Sequence, residues 1–165
     1  MKLLVDEILN ISKLDSKEYV LKREKVDIRD IVEQSLDNFR QLAIQKSIKI
    51  VTEIDEVHTE INVDALQIYK AINTIIDNAF KYAVSTVMIK TYLKRNALYV
   101  DIYNDGKPID KQRAAHIFDR FYSTNDYNSG IGLAMAKEIL RLSKGDVLIE
   151  NAKDGVVFKV KIPWK

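Results

Sequence analysis

Apolar positions along the chain recur with two periods, and the switches between them outline helices and strands. Residues 1–14 place Leu4, Ile8 and Ile11 on one helical stripe with Val5 on its flank, a stripe too short to be stable alone. Residues 15–25 read as a charged connector with a short edge strand at 19–21. Asp27 caps the next helix, with Asp30 in its first turn and Ile28, Ile31, Val32, Ser35, Phe39, Leu42 and Ala43 on its buried side. Alternation at Ile48, Ile50 and Thr52 predicts a strand over 47–54, and a second extended piece covers 58–63. Asp64 caps a long helix that ends near Val84. Two strands follow, 86–94 and 97–103, alternating at Val87, Ile89, Leu93 and then at Leu98, Val100, Ile102, with the hairpin turn at Arg95-Asn96. One or two helical turns at 110–116 and a full helix at 131–143 come next. A second hairpin, 146–151 and 156–162, closes the chain with its turn at Asp154-Gly155. The elements alternate without a regular βαβ period. They predict an α/β two-layer sandwich: a mixed, mostly antiparallel sheet with three helices on one face.

The long central helix contains the stretch AINTIIDNAFKYA, residues 71–83. At about 100° per residue, Thr74, Asn78, Lys81 and Tyr82 share roughly a quarter of its circumference, and Ile68, Ile72, Ile75, Ile76 and Ala79 fill the opposite side. An asparagine is a hard, neutral oxygen donor suited to Mg²⁺, and a lysine one turn on is a point charge suited to phosphate. The same face would also suit a helix side that merely meets water, so downstream loops have to decide. Of five glycines, Gly145 fits a helix end and Gly155 a hairpin turn. The other three sit in NDGKPI and NSGIGLA. Gly106 follows a strand that delivers Asn104 and Asp105 to the sheet edge, where a glycine lets the backbone approach a planar ligand. Gly130 and Gly132 precede a helix N-terminus, whose free N–H groups and positive dipole end suit an anionic phosphate.

Composition narrows the choice of function. With 165 residues and 47% hydrophobic content the chain can bury one core, which predicts one domain with a small appendage. Its charge of +2, from 26 basic and 24 acidic residues, gives no general pull toward nucleic acid. The Tyr99, Asp101, Tyr103 row accordingly reads as the outer face of a sheet and not as a platform for bases. Lys22, Arg23 and Lys25 suit either a solvated connector or a contact surface for a partner domain. Cysteine is absent, which removes disulfides, thiol nucleophiles and thiolate metal sites. No apolar run approaches the roughly 18 residues of a membrane span and no signal-peptide pattern opens the chain, so a membrane connection would come from sequence outside it.

In this order, INTIIDNAFKYA, NDGKPI, IFDRFY (residues 117–122) and SGIGLAMAKEI resemble the N box, first glycine box, F box and second glycine box of one family. That family is the catalytic ATP-binding domain of bacterial two-component sensor histidine kinases, which has the Bergerat (GHKL) ATPase fold. The opening LLVDEILNISKLDS is similar to the end of the second helix of the family's dimerisation and phosphoacceptor domain. The resemblance implies residues 1–15 for that helix end, 16–26 for a connector and 27–165 for the catalytic domain. It also implies ATP and Mg²⁺ as cofactors, with Asn78 on the metal, Lys81 on phosphate and Tyr82 beside the ribose or adenine. Thr74 joins Asn78 and Lys81 in the implied catalytic set. Gly106 would shape the adenine pocket, Gly130 and Gly132 would support the phosphates, and Phe118 with Phe121 would anchor a mobile lid. Asn104, Asp105, Ile109, Ile131 and Leu133 complete the implied binding set. The implied partners are the protein's own dimerisation domain and, indirectly, a response regulator, with the isolated chain a monomer. The implied location is the cytoplasmic part of a membrane-anchored sensor kinase.

Several positions depart from the family pattern. Where the family usually has an aspartate whose carboxylate accepts from the adenine amino group, this chain has Asn104, which loses the charge assistance. Weaker adenine binding follows, and Asn104→Asp should tighten it. Thr74 replaces a frequent asparagine, Ser123 a common basic residue, and the lid between Tyr122 and Gly130 is short. Neither His58 nor His116 has the acidic residue and apolar-Arg-Thr-Pro run that mark a phosphoacceptor, so the chain should acquire no acid-labile phosphate of its own. Two alternatives remain. An anti-sigma-type serine kinase or partner-switching module would share the nucleotide boxes but lack the helical lead-in and F box. A degenerate Bergerat domain would act through protein contacts alone.

Overall fold

The computed structural model describes residues 2–16, 19–56, 59–123 and 129–164. The chain opens with helix α1 (Lys2–Asp15). Strand β1 (Glu24–Asp27) ends at the residue that caps α2 (Ile28–Asp37), where the Asp27 carboxylate accepts the Arg29 N–H at 2.9 Å. Helix α3 (Arg40–Lys46) and strands β2 (Lys49–Glu53) and β3 (Glu60–Val63) lead to α4 (Ala65–Tyr82). Asp64 caps α4 by accepting the Gln67 N–H at 3.1 Å. Strands β4 (Thr86–Lys94) and β5 (Ala97–Asn104), helices α5 (Lys111–His116) and α6 (Gly132–Leu142), and strands β6 (Asp146–Ala152) and β7 (Gly155–Pro163) complete the chain.

The main sheet has the order β2-β4-β5-β7-β6, parallel between β2 and β4 and antiparallel elsewhere, and β1 pairs with β3 in a separate two-stranded sheet. Strand alternation decides which face is covered. Val87, Ile89, Leu98, Val100, Ile102, Phe158, Val160 and Ile162 are buried against the helices, and α4 contributes Ile68, Ile72, Ile75, Ile76, Ala79 and Phe80. Each large aliphatic side chain so removed from water contributes roughly 1.5–3 kcal/mol. The long helices α2, α4 and α6 make the second layer, with α4 between the other two. The open face carries the expected tyrosine row, where Tyr92 stacks on Tyr99 across the β4–β5 pair with ring centroids 5.2 Å apart.

Four local expectations need correction. The described residues contain six helices, because the single helix expected after Asp27 is interrupted at Asn38–Phe39. There the Asn38 and Phe39 N–H groups bond three residues back instead of four, the Asn38 amide donates to the Tyr69 hydroxyl and Asn73 Oδ1 on α4, and Phe39 stacks on Phe80 at 5.0 Å. The early edge strand lies at β1 and not at 19–21: its charged sequence EKVD is held through its backbone by β3. The last hairpin pairs Ala152 with Gly155, so its turn is Lys153-Asp154. On α1, Ile11 and Leu14 are buried, whereas Leu4, Val5 and Ile8 of the expected stripe are exposed.

Candidate functional site

Helix α4 has one face too polar to bury, and that face lines a cleft of about 1150 Å³. Thr74, Asn78, Lys81 and Tyr82 all open onto it, as the helical spacing predicts. The opposite wall is the start of α6. A Cβ on Gly132 would stand 3.2 Å from Thr74 Cγ2, so the glycine allows α6 to begin against the polar face of α4. Among the described residues no side chain caps the first N–H groups of α6, whose N-cap is Ile131. Gly130, just before it, has φ +67°, and a Cβ there would lie 2.7–2.8 Å from backbone atoms of Phe121 and Tyr122. The Phe121 N–H donates to the Gly130 carbonyl at 3.0 Å, tying the two ends of the intervening loop together. The short-lid expectation falls on residues 124–128, outside the described residues, as does the one for His58.

The far end of the cleft is apolar. Ile109, Ile149, Val156 and Phe158 line it, and Asn104 is the buried polar side chain among them, 2% exposed. Ile109 is held by a two-way bond in which its N–H donates to Asn151 Oδ1 and its carbonyl accepts from Asn151 Nδ2, each at 2.8 Å. The backbone N–H of Gly106 donates to Asn104 Oδ1 at 3.0 Å. A Cβ on Gly106 would sit 2.4 Å from the Tyr82 carbonyl oxygen, so this loop packs directly on the end of α4.

Asp105, Gly106, Phe118 and Ile131 do not line the cleft. Gly106 is buried behind it. Phe118 meets Phe158 edge-on at 6.3 Å, with Lys137 Nζ 4.9 Å above its ring. Ile131 is packed with Ile11, Ala134 and Met135. Asp105 points to the junction between α4 and β4, where its carboxylate accepts the N–H groups of Val84, Ser85 and Thr86 at 2.9–3.0 Å and the Ser85 hydroxyl. Burial pulls its pKa upward, but these donors outweigh burial and hold it at about 2, below the usual 3.8. Because the folded pKa is depressed, the stabilisation is present above pH 4 or so and is lost as pH falls toward 2. Allowing for solvent screening at a partly exposed site, Asp105→Ala should cost about 1–2 kcal/mol at neutral pH. Urea titrations from pH 7 to pH 2 check this: the gap between wild type and variant should close on acidification, and a gap independent of pH would contradict it.

Sequence reasoning missed the contribution of α1. Leu4, Glu7 and Ile8 line the cleft, and the Ser129 hydroxyl donates to Glu7 Oε2 at 2.6 Å while accepting the Ile131 N–H at 3.3 Å. Arg120 pairs with Asp15 at 2.7 Å, and the hydrogen bond from this guanidinium lowers the Asp15 pKa. The available signal was spacing: Glu7, Ile11 and Leu14 recur at helical intervals on one side of α1. Asn73, Asp77, Lys107 and Arg113 also line the cleft without having been singled out.

An apolar pocket, a polar helix face and an uncapped helix N-terminus meeting in one cleft of a two-layer sandwich define a nucleotide-binding domain. The profile of the histidine kinase-, DNA gyrase B- and HSP90-like ATPases matches residues 63–165, and the chain belongs to that family. Over 97% of its length the chain is 30% identical to the heme sensor protein HssS of Staphylococcus haemolyticus, and over 98% it is 27% identical to the sensor histidine kinase WalK of Bacillus subtilis. It spans 36% and 28% of those relatives. Among solved structures, full-length ShkA in complex with AMPPNP superposes with a TM-score of 0.89 at 21% identity, covering 98% of this chain and 35% of that one. No helix among the described residues is long and apolar enough to cross a membrane.

Proposed function

We propose that this chain binds ATP with Mg²⁺ in the cleft and presents the γ-phosphoryl group to a histidine on the dimerisation domain of a two-component sensor kinase. The observation that carries this reading is the uncapped start of α6 standing across from the Thr74–Asn78 side of α4, with the Gly130 backbone cradle beside it. Those donors and that crowded glycine fit a polyphosphate. The apolar far end fits a base.

Transfer of a phosphoryl group depends on positioning and charge neutralisation more than on covalent help from the protein, and Mg²⁺ supplies part of that neutralisation when bound. The Asn78 amide oxygen would hold the metal, Lys81 would contact phosphate, and Tyr82 would pack beside the ribose. The α6 N–H groups near Gly132 and Leu133 would donate to the phosphates, while Ile109 and Asn104 would meet the base. Helix α1 would be the end of the second helix of the dimerisation and phosphoacceptor domain, with residues 16–26 the connector. The response regulator would then be reached through that domain, and the parent protein would carry this part on the cytoplasmic side of a membrane. The relatives named HssS and WalK, of which this chain spans 36% and 28%, support the reading of a domain within a larger sensor protein.

The test is transfer in trans. Supplied with a histidine-bearing dimerisation hairpin of the relatives' type and γ-labelled ATP, the chain should place acid-labile, base-stable label on the hairpin and none on itself. Label on serine, or stoichiometric label on this chain, would overturn the proposal.

A further inference from the structure

Helix α1 places a carboxylate at the end of the cleft where α6 begins. Glu7 and Ser129 both line the cleft, and the Ser129 hydroxyl lies 2.6 Å from Glu7 Oε2 and 3.3 Å from the backbone nitrogen of Ile131, the N-cap of α6. Chemistry fixes the sense of both bonds. A carboxylate accepts and a backbone N–H donates, so the one hydroxyl proton of Ser129 goes to Glu7 and a lone pair receives the Ile131 N–H. In this arrangement Ser129 has no proton left to give to a ligand.

Ser129 directly precedes Gly130, at the turn and helix start proposed above to cradle the phosphates. A phosphate oxygen arriving there needs donors, and this hydroxyl is already committed to another anion. The charge of Glu7 also opposes a polyphosphate in the same cleft. Helix α1 is anchored by other contacts: Ile11 packs with Ile131 and Ala134, Leu14 is buried in the main core, and Asp15 pairs with Arg120 at 2.7 Å. Glu7 is therefore held at the cleft by the helix that carries it. Resting on the nucleotide reading of the cleft, we infer that Glu7 competes with the phosphates of the nucleotide for the Ser129 hydroxyl, so that docked α1 restrains nucleotide affinity. Any displacement of α1 that parts Glu7 from Ser129 then strengthens binding, and bound nucleotide weakens the contact in return.

Calorimetric titration of the whole chain with Mg²⁺ and a non-hydrolysable ATP analogue tests this. Glu7→Ala should bind at least about tenfold more tightly than wild type. Glu7→Gln, which keeps an acceptor for Ser129 and loses only the charge, should gain about threefold. In a Ser129→Ala background the gain from Glu7→Ala should fall to about the same threefold, because the contested proton is gone and only the charge is left to remove. Melting curves check that each variant is folded, and Glu7→Gln carries the test should alanine loosen α1. A Glu7 that only braced the loop would give the opposite sign. Binding by the Glu7 variants that is equal to or weaker than wild type, or a gain that Ser129→Ala leaves undiminished, overturns the inference and leaves the nucleotide site standing. Absence of binding by wild type and every variant overturns it together with the reading beneath it.

Discussion

Asn78→Ala is expected to weaken Mg²⁺-dependent nucleotide binding on the order of a hundredfold, about 2.7 kcal/mol, while leaving the fold in place. Asn78 opens onto the cleft and is half-buried, and no described residue hydrogen-bonds its amide. Alanine has high helix propensity, so the substitution removes a ligating oxygen without disturbing α4. The neighbouring apolar positions Ile75, Ile76 and Ala79, all at 0% exposure, keep the helix anchored. Titrations with and without the metal, alongside a melting curve, separate the outcomes. Lost affinity at an unchanged melting temperature supports the role, and affinity within twofold of wild type contradicts it.

Gly130→Ala should also disable binding, through the backbone and not through a lost ligand. At φ +67° a non-glycine residue is strained by about 1 kcal/mol or more, and here its Cβ would meet backbone atoms of Phe121 and Tyr122 at 2.7–2.8 Å. Backbone has nowhere to swing, so the closing bond from the Phe121 N–H to the Gly130 carbonyl must lengthen and the start of α6 must shift. At least about tenfold weaker nucleotide binding and a lower melting temperature follow. Calorimetric titration of the variant checks the first and thermal melting the second; wild-type values for both would show that the loop tolerates a side chain after all.

The sequence announced the elements whose signals are local. Asp27, Asp64 and Asp110 cap α2, α4 and α5 through their own side chains, and Arg95 and Asn96 both adopt positive φ in the first hairpin turn. The polar face of α4 was likewise legible, because Thr74, Asn78, Lys81 and Tyr82 need only the helical repeat to share a side. Features set by distant partners were not. Asn38 leaves the helical pattern to bond Tyr69 and Asn73, more than 30 residues along the chain. The charged β1 becomes a strand only because β3 offers its backbone. Asp105 looks like a ligand in the linear motif NDG, yet three consecutive N–H groups at the junction between α4 and β4 capture its carboxylate. Glu7 enters the site through Ser129, 122 positions away.

The central claim is that this cleft is a Mg²⁺-dependent nucleotide site, and the direct measurement is calorimetric titration of the purified chain with a non-hydrolysable ATP analogue, with and without Mg²⁺. The account predicts saturable binding at one site per chain that weakens sharply when the metal is withheld. No binding under either condition would contradict it and leave the fold as a scaffold for protein contacts.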